Sequence, residues 1–590
     1  AWAAENSVKA ASVSAELLYG VAARIGGRRL TDDPGWRHFA EKGAVLLEHD
    51  DPFVRGIAAW ALIAVRDANQ GMRPQPDTPD WMAKCLALEP ETSLECDFVL
   101  QAIGLGDYRT TRGLVRSAEN IVRRAGALAS YAQSCGGDQR RQRLDAALET
   151  LKQVHGRQPG RKPPTDLAGQ RKWWMDVRRA ARDVVLAGPD IDFNEVVFFQ
   201  APVRTEGNHP DGLVQNHDRP KERGPGGDVL VQMGIGPTDP VRPLIAGQLG
   251  PGHVQDMDLW WDADRLVFAY VRQPDWGNGQ SSWGSVSWRN GPAVTVFDHV
   301  VGFRDGVFWE NGSEPTHLYE INLDGTGLRQ LTNDKLYCDR EPAYLPNGDV
   351  VFSSDRGCGA SQCGAAPLAY SDFGLPNLFR VSADGKRVER LTYNKDVDRY
   401  PHCLSNGLIG YMRWDYQERF WQWPHSLWTI RPDGTMNDGL FKSHFNEPQS
   451  VREPRSIPGS DKLVVIATGH HAPPEGAVAV VDPSLGVNNP EGLRYVTPSC
   501  SPLEGGLGSC PTVAEGGVPD RGGLYRTPWP LSEKGFLVSY ACHYPGKTRY
   551  AAYYIDVWGN KELIRRDPVM DVLCPMPVRK RPRPATPPSH

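Results

Sequence analysis

The fold of this chain is decided by the stretch Leu318-Tyr319-Glu320-Ile321-Asn322-Leu323-Asp324-Gly325 and by its second copy, Leu378-Phe379-Arg380-Val381-Ser382-Ala383-Asp384-Gly385. In both, an alternating apolar and polar run ends in an Asp-Gly pair, which supplies the positive backbone angles of a tight hairpin turn. A third copy begins at Leu427 and ends at Asp433-Gly434. The three copies predict that one kind of β-hairpin recurs along the chain.

Each of the first two copies continues into a second hairpin. The first is followed by Leu331-Thr332, Pro342 and a turn at Asn347-Gly348, and the second by Leu391-Thr392, Pro401 and a turn at Asn406-Gly407. Four strands in roughly 50–60 residues are typical of one blade of a β-propeller. Because a single blade cannot bury both of its faces, several must stack side by side, so we predict a ring of such units.

The number of units follows from the strand pairs. The inner hairpin strands are predicted at 195–199, 265–270, 350–354, 408–412, 463–467 and 536–540, and the outer strands at 228–232, 318–323, 378–381, 427–430, 478–481 and 550–557. Six of each predict a six-bladed β-propeller. Seven blades stay open as an alternative because the Trp- and Gly-rich stretch 273–316, which we interpret as an insertion, is long enough to contain further hairpins.

The N-terminal part of the chain has helical patterns instead. Asp51-Pro52 followed by apolar residues at spacings of three and four is typical of a helix start, and further helices are predicted over 112–133, 138–154 and 170–187. The stretch after Asp51 resembles the inner helix of a HEAT-type repeat, although an ordinary amphipathic helix explains it equally well. We therefore predict an α-helical domain over 1–187, a β-propeller over 188–577 and a Pro/Arg-rich linker or tail over 578–590.

Composition and charge exclude several classes of protein. The 590 residues include 61 Gly and 49 Pro, which indicates many turns, and 66 Lys+Arg against 71 Asp+Glu give a net charge of −5. A nucleic-acid-binding protein usually has a basic face, so that class is disfavoured. No apolar run approaches the ~18 residues of a transmembrane helix, so we expect no transmembrane segment.

The eleven cysteines lie as near neighbours rather than as the paired CxxC sets of a structural zinc protein. Such spacing in loop-rich sequence suits disulfide bonds and an oxidising compartment, although reduced buried thiols are the alternative. The chain also begins Ala1-Trp2-Ala3-Ala4, which suits a mature chain after removal of a signal peptide. We expect a periplasmic or secreted protein; the possible disulfides join Cys85 with Cys96, Cys358 with Cys363 and Cys500 with Cys510, and Cys542 with Cys574 is a looser pair.

The repeated motif resembles the TolB-like propeller repeat, a WD40-like repeat. Further segments extend the resemblance: Asp192-Phe193-Asn194-Glu195-Val196-Val197-Phe198, Ser353-Ser354-Asp355-Arg356, Tyr411-Met412-Arg413-Trp414-Asp415-Tyr416, Ala467-Thr468-Gly469-His470-His471 and Pro577-Val578-Arg579-Lys580-Arg581-Pro582-Arg583-Pro584. Together, over roughly 190–584, they are similar to the alpha subunit family of hydrazine synthase. The resemblance implies a helical region, a six-bladed propeller, and then a linker leading to a domain with two c-type haems.

The sequence departs from that family in one respect that bears on function. The chain contains no CxxCH, and covalent haem attachment needs both thiols and the histidine in that spacing. No covalent cofactor is therefore expected on this chain, and haem would come from another domain or subunit. We expect a propeller scaffold or interaction subunit of a periplasmic redox assembly, with c-type cytochrome subunits as partners and no catalysis by this chain alone; the alternative is an oxidoreductase related to hydrazine synthase.

Two other functions stay open. One is a TolB-like protein-docking module with no redox role, and the other is a metal-dependent enzyme that uses the propeller channel. The resemblance implies a metal site, here zinc or calcium, whose nearest ligands are His209, His217 and Cys338. Imidazole and thiolate are a reasonable zinc set, but the alternative is that both histidines lie in a solvated loop and that Cys338 pairs with Cys403. No GxSxG elbow, Walker loop or dinucleotide-binding loop occurs.

One segment is typical of a docking surface. Between Arg413 and Trp423 the chain has five aromatic residues, too many for a plain turn. Trp and Arg are often the energetically dominant residues of interfaces. The residues that we expect to dock a partner are Trp414, Tyr416, Trp421 and Trp423.

Overall fold

The computed structural model describes residues 43–68, 94–105, 107–135, 137–159, 166–202, 224–274, 303–304, 307–308, 315–334, 337–357, 376–415, 425–445, 447–469, 475–498, 500, 512–513, 519–520, 524–541 and 549–588. In these residues helices come first and strands follow, so the chain is mostly β with several sheets. Within the same residues, no helix is both long and apolar enough to cross a membrane.

The described part of the N-terminal region contains the α-helices α1 (Pro52–Ala68), α2 (Leu94–Leu105), α3 (Thr111–Gln133), α4 (Asp138–Gly156) and α5 (Leu167–Leu186). Helix α1 begins where the sequence predicts it, since the Asp51 carboxylate accepts a hydrogen bond from the amide of Phe53 at 2.9 Å. The other oxygen of Asp51 accepts from Arg171 of α5 at 2.8 Å, and both side chains are buried. One cap therefore also ties α1 to α5.

The described strands form six four-stranded antiparallel units, of which units 4 and 5 are joined into one eight-stranded sheet by a parallel pairing of His425 with Ser450, and two short hairpins lie outside them. Unit 1 contains β1 (Glu195–Pro202), β2 (Val229–Met233) and β3 (Val241–Pro243); unit 2 contains β4 (Gly252–Leu259), β5 (Arg265–Arg272), β8 (His317–Asn322) and β9 (Arg329–Gln330), with the hairpin β6 (Phe303–Arg304) and β7 (Val307–Phe308) between β5 and β8. Unit 3 contains β10 (Asp339–Tyr344), β11 (Val350–Ser354), β12 (Asn377–Val381) and β13 (Val388–Arg390); unit 4 contains β14 (Val397–Cys403), β15 (Ile409–Trp414), β16 (His425–Ile430) and β17 (Asp438–Phe441). Unit 5 contains β18 (Ser450–Ser456), β19 (Leu463–Thr468), β20 (Ala477–Val481) and β21 (Leu493–Tyr495), and the hairpin β22 (Thr512–Val513) and β23 (Pro519–Asp520) follows it. Unit 6 contains β24 (Leu524–Pro530), β25 (Gly535–Ala541), β26 (Ala551–Asp556) and β27 (Lys561–Arg565), and the last strand, β28 (Met570–Pro577), returns to pair with β1 as the fourth strand of unit 1.

The recurring Leu-Thr pair has a structural reason. The hydroxyl of Thr392 accepts a hydrogen bond from the amide of Leu378 at 2.9 Å, and Thr332 does the same for Leu318 at 3.0 Å. In unit 5 the acceptor is Thr497, which accepts from Val478. In units 2, 3 and 5 the threonine that follows the fourth strand is therefore tied to the start of the third strand.

The inner strands of the six units lie next to one another in a ring. These strands are β4, β10, β14, β18, β24 and β28, and each contacts the next in that order, with β28 contacting β4. We call them the inner ring and the space that they enclose the central channel. Each inner strand contains a register shift, and in five of them the residue before a proline has a positive φ: Glu341, Tyr400, Glu453, Thr527 and Cys574.

These bulges connect neighbouring units. At a bulge the backbone amide is released from its own sheet, and the amide of Tyr400 donates to the Glu341 carboxylate of unit 3 at 2.8 Å. In the same way the amide of Thr527 donates to Glu453 of unit 5 at 2.6 Å, and that of Cys574 to the hydroxyl of Thr527 at 3.1 Å. The inner ring is thus held by hydrogen bonds from unit to unit.

The helical region packs against the outer edge of unit 6. Arg178 of α5 forms an ion pair with Glu562 at 2.8 Å and donates to the carbonyl of Lys561 at 2.7 Å. Asp97 of α2 contacts Arg566 at 3.1 Å and accepts from the hydroxyl of Tyr553. Because β27 is an edge strand, these contacts cover an edge that would otherwise present unpaired backbone groups.

The C-terminal segment, predicted as a linker or tail over 578–590, is extended but lies against the inner ring. The amide of Arg581 donates to the carbonyl of Trp261 in unit 2 at 2.8 Å, and Arg579 donates to the carbonyl of Leu531 in unit 6. Further on, Ala585 and Pro587 lie directly over Gly407 of unit 4. Since unit 4 is opposite unit 1 in the ring, the segment crosses one mouth of the channel, which its composition alone did not predict.

We predict that the buried pair between Arg399 of unit 4 and Glu341 of unit 3 is needed to hold these units together. Arg399→Met leaves a buried carboxylate unpaired and should destabilise the fold by roughly 3–5 kcal/mol, measured by urea unfolding. Adding Glu341→Gln should recover much of that loss, because it removes the buried charge. Equal destabilisation by the double variant would show that the pair contributes through packing instead.

We also predict that Gly407→Ala displaces the C-terminal segment. Gly407 has a φ of 80°, and a Cβ there would collide with the backbone oxygen of Ala585. Gly348→Ala is the matched control, because Gly348 has the same turn conformation in unit 3, with φ 93°, and no contact with the segment. Limited proteolysis should cleave near the C-terminus faster in Gly407→Ala only; equal cleavage of both variants would contradict this placement.

Candidate functional site in the central channel

Four units of the inner ring carry an arginine just before the bulge. These residues are Arg340, Arg399, Arg452 and Arg526, and their exposed fractions are 4%, 3%, 0% and 9%. They occupy equivalent positions in β10, β14, β18 and β24, so they lie at one level of the channel. Buried guanidinium groups need acceptors, and the partners of each arginine therefore define the site.

Arg399 is fully paired. Its Nε donates to Oε1 of Glu341 at 3.0 Å, and Ser353 donates to the other oxygen of Glu341 at 2.7 Å. Burial alone would raise the pKa of Glu341, but the adjacent Arg399 holds that pKa below its ordinary value. This carboxylate is therefore ionised and structural.

Arg340 is only partly paired. Its Nη2 donates to Asp256 of unit 2 at 3.2 Å, whereas its Nε and Nη1 are buried without a hydrogen-bond acceptor. The side chain of Asp256 is 29% exposed. Water-sized space therefore reaches this part of the channel.

Glu453 of unit 5 lies across the channel from Asp256. Burial raises the pKa of Glu453 to about 7, while Arg526 and the amide of Thr527 lower it and the charge of Asp256 raises it. Arg452, one residue earlier, has its pKa lowered to about 10 by burial, with repulsion from Arg399 contributing. The electrostatics therefore indicate more positive than negative charge at this level.

The channel end beneath the C-terminal segment is crossed by a polar pair. Arg455 of unit 5 reaches Asp258 of unit 2, on the opposite side of the ring, at 3.3 Å. Arg455 and Arg581 each lie over the ring of Trp529, at 4.7 Å and 4.6 Å. Burial, with repulsion from Arg455 and Arg581, lowers the pKa of His402 well below its ordinary value, so this histidine is neutral.

The chemistry available here is that of hydrogen-bond donation and charge. Burial raises the pKa of the thiols of Cys403 and Cys574 to about 12, so neither is a thiolate near neutral pH. Cys403 and Cys574 have free thiols in this structure, so the alternative pairing of Cys338 with Cys403 is not formed here. The looser pair of Cys542 with Cys574 stays a prediction, because Cys542 lies outside the described residues. The guanidinium groups instead suit the recognition of an anionic group.

Only one of the three predicted metal ligands, Cys338, is among the described residues. His209 and His217 lie outside them. Cys338 is half-buried just before β10, and its amide donates to Asp355 at 2.8 Å. Within the described ranges, no three His, Cys, Asp or Glu side chains form a group that could hold a metal ion.

The burial of Trp414 contradicts one part of the predicted docking surface. Its side chain is fully buried, because β15 continues through Trp414, which pairs with Val397 and His425, and this register turns the indole into the protein. Trp414 is therefore core. The other three residues of that prediction, Tyr416, Trp421 and Trp423, lie outside the described residues.

The predicted disulfides stay predictions. Cys85, Cys358, Cys363 and Cys510 lie outside the described residues, whereas Cys96 and Cys500 are within them and buried. Each predicted pair therefore has at least one member that the structure does not describe.

The sequence analysis missed the arginines of the channel. A signal for them exists, because Arg-x-Pro occurs at 340–342, 399–401, 452–454 and 526–528, once in each of four units. Pro342 and Pro401 served only as markers of the repeat. Their importance depends on the bulge, which places the preceding arginine beside the neighbouring unit.

Comparisons with known proteins give a distant likeness in fold. No family model matches the chain, and no curated protein matches it. Among solved structures, hydrazine synthase from Kuenenia stuttgartiensis is similar over 67% of this chain, with 17% identity and a TM-score of 0.45. The chain covers 48% of that protein, about half its length.

Other similar structures belong to unrelated proteins. A Hadza microbial sialidase covers 64% of this chain at 12% identity with a TM-score of 0.29, and 85% of the sialidase is covered. The tricorn protease covers 52% of this chain at 10% identity with a TM-score of 0.28, and 22% of that protein is covered. At these identities and scores, none of the likenesses bears on activity.

We predict that Glu453 makes stability depend on pH. Its folded pKa of about 7 exceeds the ordinary 4.5, so the unfolded chain releases the proton first as the pH rises. Stability should therefore fall between about pH 4.5 and 7 and then level off. Glu453→Gln, which mimics the protonated form, should melt increasingly above the wild type over this window, whereas exposed Glu491→Gln should not. A pH-independent difference in melting temperature would contradict the raised pKa.

Proposed function

We propose that this chain is a six-bladed β-propeller that serves as a scaffold or interaction subunit. Six four-stranded units, inner strands that neighbour one another in a ring, and pairing of the last strand with the first support this architecture. Hydrogen bonds from bulge to bulge give the ring rigidity, and a rigid ring suits recognition of another macromolecule.

The observation that carries the proposal is a difference between the two faces of the ring. Because neighbouring strands are antiparallel, the turn from the first to the second strand of a unit lies at one face, and the connection from the second to the third lies at the other. The first face also carries the C-terminal segment. We call it the tail face and the opposite one the loop face.

The loop face carries the long connections in all six units. Both ends of each connection are placed there by the flanking strands: 203–228, 273–316, 355–376, 415–424, 469–476 and 542–550. On the tail face, the corresponding turns are 260–264, 345–349, 404–408, 457–462 and 531–534. Because binding residues concentrate on long loops held by a rigid scaffold, the loop face is the proposed docking surface.

The proposed partner is a c-type cytochrome subunit of a periplasmic redox assembly. The resemblance of the repeat and of the other motifs to the hydrazine synthase alpha family supports this partner. Since the given sequence contains no CxxCH, haem would come from another domain or subunit. A TolB-like docking module without a redox role uses the same loop face. The nature of the partner therefore separates the two functions.

We predict that replacing both Trp421 and Trp423 by Ala weakens assembly more than it lowers the melting temperature. Both residues belong to the loop-face connection 415–424, and buried Trp often dominates interface energy. A tagged chain would be isolated from its native host, and the co-purifying partner measured by mass spectrometry and haem absorbance. At least a tenfold loss of partner from the folded variant is expected.

Met436→Ala is the matched control. Met436 is 64% exposed and lies in the turn between β16 and β17 of the same unit, at the tail face. It should retain the partner fully. Undiminished assembly of the folded Trp variant would overturn docking through this connection, and a stable partner without haem would favour the docking module over the redox assembly.

A further inference from the structure

The four channel arginines differ in how completely their donors are used. Arg399 is held by Glu341, and Arg452 donates to Ser450 at 2.8 Å and to the carbonyl of Gly469 at 3.3 Å. Arg526 lies over the ring of Tyr550 at 5.6 Å. Arg340 leaves two donors, Nε and Nη1, without an acceptor although its exposed fraction is only 4%, whereas in Arg526 this holds for Nε alone. Leaving buried donors unsatisfied is energetically unfavourable, so such donors call for an explanation.

Positive charge also exceeds negative charge at this level of the channel. Along the inner strands, four guanidinium groups face the carboxyl groups of Glu341, Asp256 and Glu453. Glu453 has a pKa of about 7 and is therefore only partly ionised at neutral pH. The excess is positive, and a bound anion would offset it.

The carboxylates near Arg340 are partly exposed to solvent. The tail face is crossed by the pair of Arg455 with Asp258 and by the C-terminal segment around Arg581. Asp256, the partner of Arg340, is nevertheless 29% exposed, and Glu453 is partly exposed. Solvent therefore reaches the carboxylates beside Arg340.

We propose that the central channel binds a small oxyanion, with carboxylate or phosphate oxygens as acceptors for Nε and Nη1 of Arg340. Guanidinium groups are the side chains best suited to such oxygens. Asp256 holds the third nitrogen of Arg340 and fixes the orientation of the group, while the repulsion between Asp256 and an anion limits the affinity. The ligand site lies inside the ring and is separate from the docking surface on the loop face, so either proposal can fail without the other.

The test is calorimetric titration of the purified full chain with inorganic phosphate and, separately, with acetate and citrate, at constant ionic strength maintained with NaCl. Saturable binding of at least one of these anions is expected, together with a rise in melting temperature above that in NaCl alone. Phosphate binding alone, or carboxylate binding alone, would identify the class of oxyanion. No saturable binding of any of them would overturn the proposal and leave water as the partner of these donors.

Two variants locate the site. Arg340→Lys keeps the positive charge beside Asp256 but removes the guanidinium donors, so it should weaken binding at least tenfold without unfolding the chain. Arg329→Lys is the control, because Arg329 is 42% exposed and pairs with Glu320 on the outside of unit 2. Equal affinity of Arg340→Lys and the wild type would place the anion elsewhere and overturn the assignment to Arg340.

Discussion

The backbone amides released at the inner-strand bulges of units 4, 6 and 1 make the interaction on which the ring depends. An amide that leaves its own sheet must find another acceptor, and in units 4, 6 and 1 the acceptor belongs to the preceding unit. The proline after the bulge donates no hydrogen bond, so the strand tolerates the shift in register. The local irregularity of one sheet thus becomes the connection between two sheets.

The same bulges produce the charge of the channel. Because the residue before the bulge is an arginine in four units, joining the units also gathers four guanidinium groups at one level. Glu341 neutralises Arg399 completely, whereas Asp256 satisfies one nitrogen of Arg340. Structural cohesion and the proposed binding capacity therefore come from one repeated element, and Arg340 is a position at which the internal pairing is incomplete.

The two ends of the chain give the ring its asymmetry. The helical region covers the outer edge of unit 6 through Arg178 and Asp97, and the C-terminal segment crosses the tail face from unit 1 to unit 4. Segments of the chain itself thus cover the outer edge of unit 6 and the tail face. The loop face, where the six long connections begin and end, is the surface left for a partner in our proposal.

The sequence by itself determined the local elements. Asp-Gly and Asn-Gly pairs, the Leu-Thr pair and the Asp51-Pro52 helix start are encoded within a few residues, so the strands and helices lie where their patterns predict them. Tertiary structure decided what depends on distant residues: the pairing of β28 with β1, the burial of Trp414, the path of 578–588 across the channel and the partners of the arginines. Arg-x-Pro is visible in the sequence, but whether an arginine is satisfied depends on a carboxylate in another unit, such as Asp256 for Arg340. Composition and spacing cannot specify that distance, because it is set by how the units pack around the ring.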